Sequence, residues 1–182
     1  MNANANLHKL MKSAVVEKDV EAAWRAAITS ARPHAQVSSP VGCDGLFVWG
    51  ETRMLAEFKF DFDMRSRAEV ARVLGQVAGY LKRLESTGSP LPNVVMIADR
   101  NECTLAPVAV LLGFIACDFD WSIAPSTGDP QLVAAIEAPV ARALHCRVGG
   151  APGRTQAARR QAAARRLRLW LPASLIVTPA AA

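Results

Sequence analysis

Three charged side chains in one short stretch, Asp44, Glu57 and Lys59, are of the types that handle water and phosphate. Two carboxylates offer hard oxygen ligands to a divalent cation, and a lysine beside them can position or help deprotonate a water. Asp44 opens an apolar run that ends at Trp49. A turn follows at Gly50-Glu51-Thr52, and a second run from Arg53 to Phe60 carries Glu57 and Lys59 with one residue between them. Alternate residues of a strand share a face, so Glu57 and Lys59 point the same way. A hairpin of the two runs would bring Asp44 close to that pair.

A Glu-x-Lys pair on an exposed sheet is ordinarily a solvated ion pair. Here Asp44 lies upstream at a distance that a hairpin spans. The flanks are also apolar: Met54, Ala56, Phe58 and Phe60 alternate with Leu55, Glu57, Lys59 and Asp61, which is the period of a half-buried strand. One face is predicted to pack on a helix layer and the other to carry Glu57 and Lys59.

Several elements must position this strand. Leu7, Leu10, Met11, Ala14, Val15, Val20, Ala23, Trp24, Ala27 and Ile28 recur near the helical period and predict one helix from Asn6 to Ala31, ended by Pro33. Glu17 and Glu21 lie one turn apart on it. Residues 35–43 predict a short strand leading into a loop. After the loop from Asp61 to Ser66, a helix is expected from Arg67 to about Glu85, with Ser66 and Glu69 as a capping box and Arg72, Gln76 and Tyr80 as a polar stripe. Gly75 and Gly79 beside the stripe would let that helix lie close to the sheet or to a DNA backbone. Asn93 to Asp99 reads as a strand buried on both faces, Cys103 to Ala106 as the next strand, and Pro107 as the start of a helix to about Ile115. Asp129-Pro130 opens a further helix to about Ala138, and Asp118, Asp120 and Asp129 are read as solvated or capping acids. Together these predict an α/β fold, a mixed sheet with helices on its faces.

Asp44, Glu57, Phe58 and Lys59 resemble the signature of the PD-(D/E)XK nuclease superfamily, and Gln76 with Tyr80 resembles the Gln-x-x-x-Tyr pattern of its RecB-like branch. The resemblance covers roughly the first two-thirds of the chain. It implies a restriction-endonuclease-like mixed central sheet flanked by helices. Asp44 and Glu57 would hold Mg2+, with Mn2+ as a substitute and the Phe58 backbone carbonyl as a further ligand, and Lys59 would serve the attacking water. A glutamate from the first helix would stand at the edge of the metal site, Glu21 before Glu17. Gln76, Tyr80 and Arg72 would support the site or contact DNA. The stretches from Asp99 to Leu105 and from Asp118 to Ser126 also resemble the nuclease-like head that precedes N6-adenine methyltransferase domains in some restriction systems, although no methyltransferase motif is present.

Bulk properties bound the rest. A chain of 182 residues, 51% of them apolar, can bury a core. No run is apolar enough to span a membrane and the N-terminus lacks a signal-peptide pattern, so a cytoplasmic protein is expected. Cys43, Cys103, Cys117 and Cys146 fit neither a zinc knuckle nor a disulfide framework and are read as scattered, mostly buried thiols. The net charge of +5 is unevenly placed. From Val140 onward there are eight Arg and no acid, which leaves the first part mildly acidic. The domain reading is therefore residues 1–139 as the nuclease-like unit and residues 140–182 as an Ala/Arg-rich tail. That tail could be a phosphate-gripping helix, a disordered arm, or the product of a shifted reading frame in GC-rich DNA.

The expected function is a metal-dependent DNA nuclease, a phosphodiester hydrolase linked to restriction or DNA processing. Its partners would be DNA, a methyltransferase or other restriction-system subunit, and a second copy of the chain. Two other classes remain: a catalytically inactive nuclease-fold module for DNA binding or assembly, such as a truncated remnant of a restriction-modification protein, and an unrelated α/β scaffold in which Glu57 and Lys59 are a surface pair.

Overall fold

The computed structural model describes residues 3–137, with side chains from Asn6 onward. The tail from Val140, and Cys146 with it, lies outside the described residues. In chain order the elements are α1 (Ala3–Ser13), α2 (Glu17–Ala31), β1 (Gln36–Ser38), a single 3-10 turn (Pro40–Gly42), β2 (Gly45–Trp49), β3 (Thr52–Phe58), α3 (Arg67–Ser86), β4 (Val94–Ala98), β5 (Cys103–Pro107) and α4 (Ala109–Ile115). Residues 130–137 are helical as well. The strands form one five-stranded sheet in the order β1-β2-β3-β4-β5. All neighbours are antiparallel except β3 and β4, which run parallel because α3 carries the chain back across the sheet between them.

The expected mixed sheet with helices on its faces is therefore present. Phe47, Met54, Ala56, Phe58, Met96 and Ala98 form one face and pack against Leu7, Met11, Val20, Trp24 and Ile28 of α1 and α2. Leu46, Leu55, Val95 and Ile97 form the other and pack against Val77, Leu81 and Leu84 of α3, Leu111 and Ile115 of α4, and Leu132 and Ile136. The period-two alternation of β3 thus feeds two cores. Helices cover both sides, so β3 is buried from Met54 to Phe58.

Several local expectations are corrected. The single helix from Asn6 to Ala31 is two helices. Val16 takes an extended conformation (φ −144°, ψ 164°), and Asp19 Oδ2 accepts from the Val15 and Val16 N–H groups at 2.9 and 3.2 Å. A β-branched pair followed by an acid at a capping distance is what breaks the pattern. β3 stops at Phe58 rather than Phe60. Lys59 N still donates to Ala98 O at 2.9 Å, but Asp61 turns left-handed (φ 52°) and is held by Arg100 at 2.5 Å. Pro107 is the last residue of β5, which suits an edge strand that needs no donor there, and the helix expected after it is present as α4. Half of the capping box forms: Ser66 Oγ accepts from Glu69 N, while the Glu69 carboxylate accepts from Asp63 N. Gly75 and Gly79 do not face the sheet. Their missing side chains make room for Val133 Cγ2 and Pro125 Cγ, which would lie 3.2 and 3.1 Å from an added Cβ. Asp120 and Asp129 cap loops as expected, accepting from Ser122 and from Asp120 and Gln131 respectively. Of the described cysteines only Cys43 is buried; Cys103 is half-buried and Cys117 exposed, and all three are free thiols. Among the described residues, no helix is long and apolar enough to cross a membrane.

Candidate functional site

The β2–β3 hairpin sets the register on which the site depends. Gly50 sits in the two-residue turn with φ 52°, a conformation that glycine adopts freely, and Trp49 pairs with Thr52. The ladder then runs to Gly45 opposite Ala56. One step further, the same register places Asp44 opposite Glu57 on adjacent strands and on the face that α3 covers. Residues so paired have Cβ atoms about 4.5–5.5 Å apart. Asp44 fixes the juxtaposition by accepting from Phe58 N at 2.7 Å through Oδ2.

Glu57 is 1% exposed. Lys59 Nζ, at the end of the strand, lies 2.6 Å from Glu57 Oε1 and is its counter-charge. The other oxygen, Oε2, is buried with no hydrogen-bond partner. Burial pushes the Glu57 carboxyl up to about 7; Lys59 pulls it down, while Asp44 and Glu17 add to the rise. A buried carboxylate with one free oxygen, facing a second carboxylate, is a donor set that suits a hard divalent cation.

The helices complete the surroundings. Because α2 begins at Glu17, this residue sits at its N-terminus, and its carboxylate lies 3.8 Å from Lys59 Nζ. Glu21 points instead to two cations. Its Oε1 is 2.8 Å from Arg25 Nε and its Oε2 is 2.9 Å from Lys18 Nζ. Of the two glutamates, then, it is Glu17 that contacts the Lys59 cluster. On α3, Gln76 Nε2 donates to the Tyr80 hydroxyl at 2.9 Å. Tyr80 is buried under the sheet face, not on a solvent stripe. Burial and the charges of Glu57 and Asp44 push its hydroxyl up to about 12, so it stays protonated beside the carboxylates. Arg72, one turn before Gln76 on α3, is exposed. Cys43, beside Asp44, is pushed up to about 11 by burial and then by Glu57 and Asp44, so it is a neutral thiol in the wall of the site.

The structure thus brings together Asp44, Glu57, Phe58 and Lys59, places Glu17 at their edge and Tyr80 with Gln76 behind them. Among the described residues, no group of three His, Cys, Asp or Glu side chains lies at metal-holding spacing. Sequence reasoning missed Arg25, which donates through Nη2 to the backbone carbonyl of Asp44 and to Ser39 Oγ. Its spacing of four from Glu21 was the available signal. Comparison with family models, with curated proteins and with solved structures gives no match.

Proposed function

We propose that the chain is a restriction-endonuclease-like nuclease that hydrolyses phosphodiester bonds of DNA with a divalent cation, Mg2+ or Mn2+. The observation that carries this reading is the buried Glu57, with Lys59 Nζ 2.6 Å from one carboxylate oxygen and the other oxygen unpartnered, beside the Asp44 carboxylate that accepts from Phe58 N–H. The order of helix, three antiparallel strands, crossover helix and parallel strand supports the fold assignment. The residues fit the cation, because the orphaned Glu57 oxygen and Asp44 are hard donors on one face. When bound there, the cation would supply positive charge against the scissile phosphate and acidify a water.

The protein's own groups do the rest. Asp44 and Glu57 fix where charge is held. Lys59, released in part from Glu57, donates to the attacking water or to the phosphate oxygens as negative charge develops. Glu17, the carboxylate nearest Lys59 after Glu57, orients the lysine. Tyr80, whose hydroxyl accepts from Gln76 Nε2, holds that wall of the site together with Gln76. DNA is the proposed substrate, and a methyltransferase, another restriction subunit or a second copy of the chain are the proposed partners.

Cleavage of plasmid and linear DNA with Mg2+ or Mn2+, wild type beside Lys59→Ala and Glu57→Ala, tests the reading. Metal-dependent cutting lost in both variants is the expected result. DNA binding without cutting would mark an inactive nuclease-fold module, and neither binding nor cutting would leave an unrelated α/β scaffold.

A further inference from the structure

On the α2 side of the site, two acids that look equivalent in sequence have different surroundings. Both oxygens of Glu21 are already committed to cations, Oε1 to Arg25 and Oε2 to Lys18. Arg25 in turn reaches past Glu21 to the loop before β2. Its Nη2 donates to the Asp44 backbone carbonyl and, at 2.7 Å, to Ser39 Oγ. Ser39 Oγ also donates to the same Asp44 carbonyl, at 3.3 Å. This loop needs external support. Val41 and Gly42 are left-handed (φ 54° and 85°), and Asp44 lies one residue outside the β2 ladder.

Resting on the metal-dependent reading above, we propose that Arg25 is the positioning residue for Asp44, and that Glu21 acts through Arg25 and is not a cation ligand. Asp44 is then fixed at two points: its carbonyl by the α2 guanidinium and its carboxylate by Phe58 N–H. The carboxylate is thereby aimed at Glu57 before any ligand arrives. Arg25 Nε pairs with Glu21 by charge alone, without hydrogen-bond geometry, while Nη2 reaches two oxygen acceptors; the shorter, compact ammonium of a lysine does not span these positions in the same way. The arrangement explains why an arginine with 28% side-chain exposure lies against an acidic site without quenching it: its charge is balanced by Glu21 and turned to a backbone oxygen.

The first measurement uses metal-free protein and the Phe58 amide proton, which reports the bond to Asp44. In Arg25→Ala this proton moves upfield and exchanges faster, and Arg25→Lys does not restore it. Mn2+ binding, read by calorimetry, weakens about 10–100-fold in Arg25→Ala, as for partners that orient ligands elsewhere. Glu21→Gln keeps an oxygen for Arg25 and costs far less Mn2+ affinity than Asp44→Asn. An unmoved Phe58 amide in folded Arg25→Ala overturns the proposal, as does a Glu21→Gln loss equal to that of Asp44→Asn. Should Arg25→Ala not fold, Arg25→Lys and Ser39→Ala carry the same readout. A wild type that neither cuts DNA nor binds Mn2+ defeats the nuclease reading alone, because the Phe58 amide still decides whether Arg25 holds Asp44.

Discussion

The two faces of the sheet are built from the same strands and differ by one residue of register. The face under α1 and α2 is apolar at the centre: Phe47, Met54, Ala56, Phe58, Met96 and Ala98 belong to one buried cluster, in which the Trp24 indole N–H is satisfied by the Asp99 carbonyl. The face under α3 begins the same way with Leu46, Leu55, Val95 and Ile97, and then at one end of β2 and β3 it carries Asp44 and Glu57. There the helix above presents Tyr80 where an aliphatic residue would otherwise suffice. The difference teaches that one face provides stability and the other holds a buried, incompletely satisfied acid that stability alone does not call for.

The largest expected effects separate the faces. Phe47→Ala, at a fully buried position of the apolar face, costs about 3–5 kcal/mol of stability by chemical denaturation. Cleavage per folded molecule survives it. Lys59→Ala does the reverse: it lowers metal-dependent cleavage about 10²–10⁴-fold, measured by nicking of supercoiled plasmid, while the fold remains. Loss of cleavage in Phe47→Ala at full folding would break the comparison.

Next comes the pH dependence of the metal-free protein. Glu57 rises from 4.5 to about 7 in the folded state. The folded form therefore holds its proton where the unfolded chain has lost it. Stability from this group is full below pH 4.5, falls as pH rises from 4.5 to about 7, and is flat above. The fall amounts to roughly 3 kcal/mol. Denaturation at a series of pH values without metal checks the slope, and Glu57→Gln removes it. Added Mg2+ offsets the loss at pH 8 in wild type but not in Glu57→Gln.

The smallest effect concerns how closely α3 is covered. Gly113→Ala in α4, where an added Cβ meets nothing within 4 Å, stabilises by up to about 1 kcal/mol. Gly79→Ala, in the longer helix, stabilises less because its Cβ would lie 3.1 Å from Pro125. Paired thermal melts decide it; equal gains would mean that the Pro125 loop yields freely.

Much of this was legible because it is local. The alternation from Met54 to Phe60 assigns a strand and its two faces, the apolar run from Val94 to Ala98 assigns a doubly covered strand, and the spacing of Gln76 and Tyr80 assigns one helix face, since each period follows from backbone geometry alone. The juxtaposition of Asp44 and Glu57 was legible only on condition of a hairpin, whose two-residue turn at Gly50 then fixed the register. What the sequence could not decide was where long side chains go. Glu17 and Glu21 are alike in type and lie one turn apart. The break at Val16 and the ion pair to Arg25 are local, but only the packing of α2 on the sheet brings Glu17 within 3.8 Å of Lys59 while Glu21 stays with Arg25 and Lys18. Nor could it say that Gly75 and Gly79 admit Val133 and Pro125, or that Arg25 reaches the carbonyl of Asp44 across 19 residues of chain. Strand periods are set by neighbouring residues, whereas the partner of a buried charge is set by whichever distant segment the fold brings within hydrogen-bonding distance.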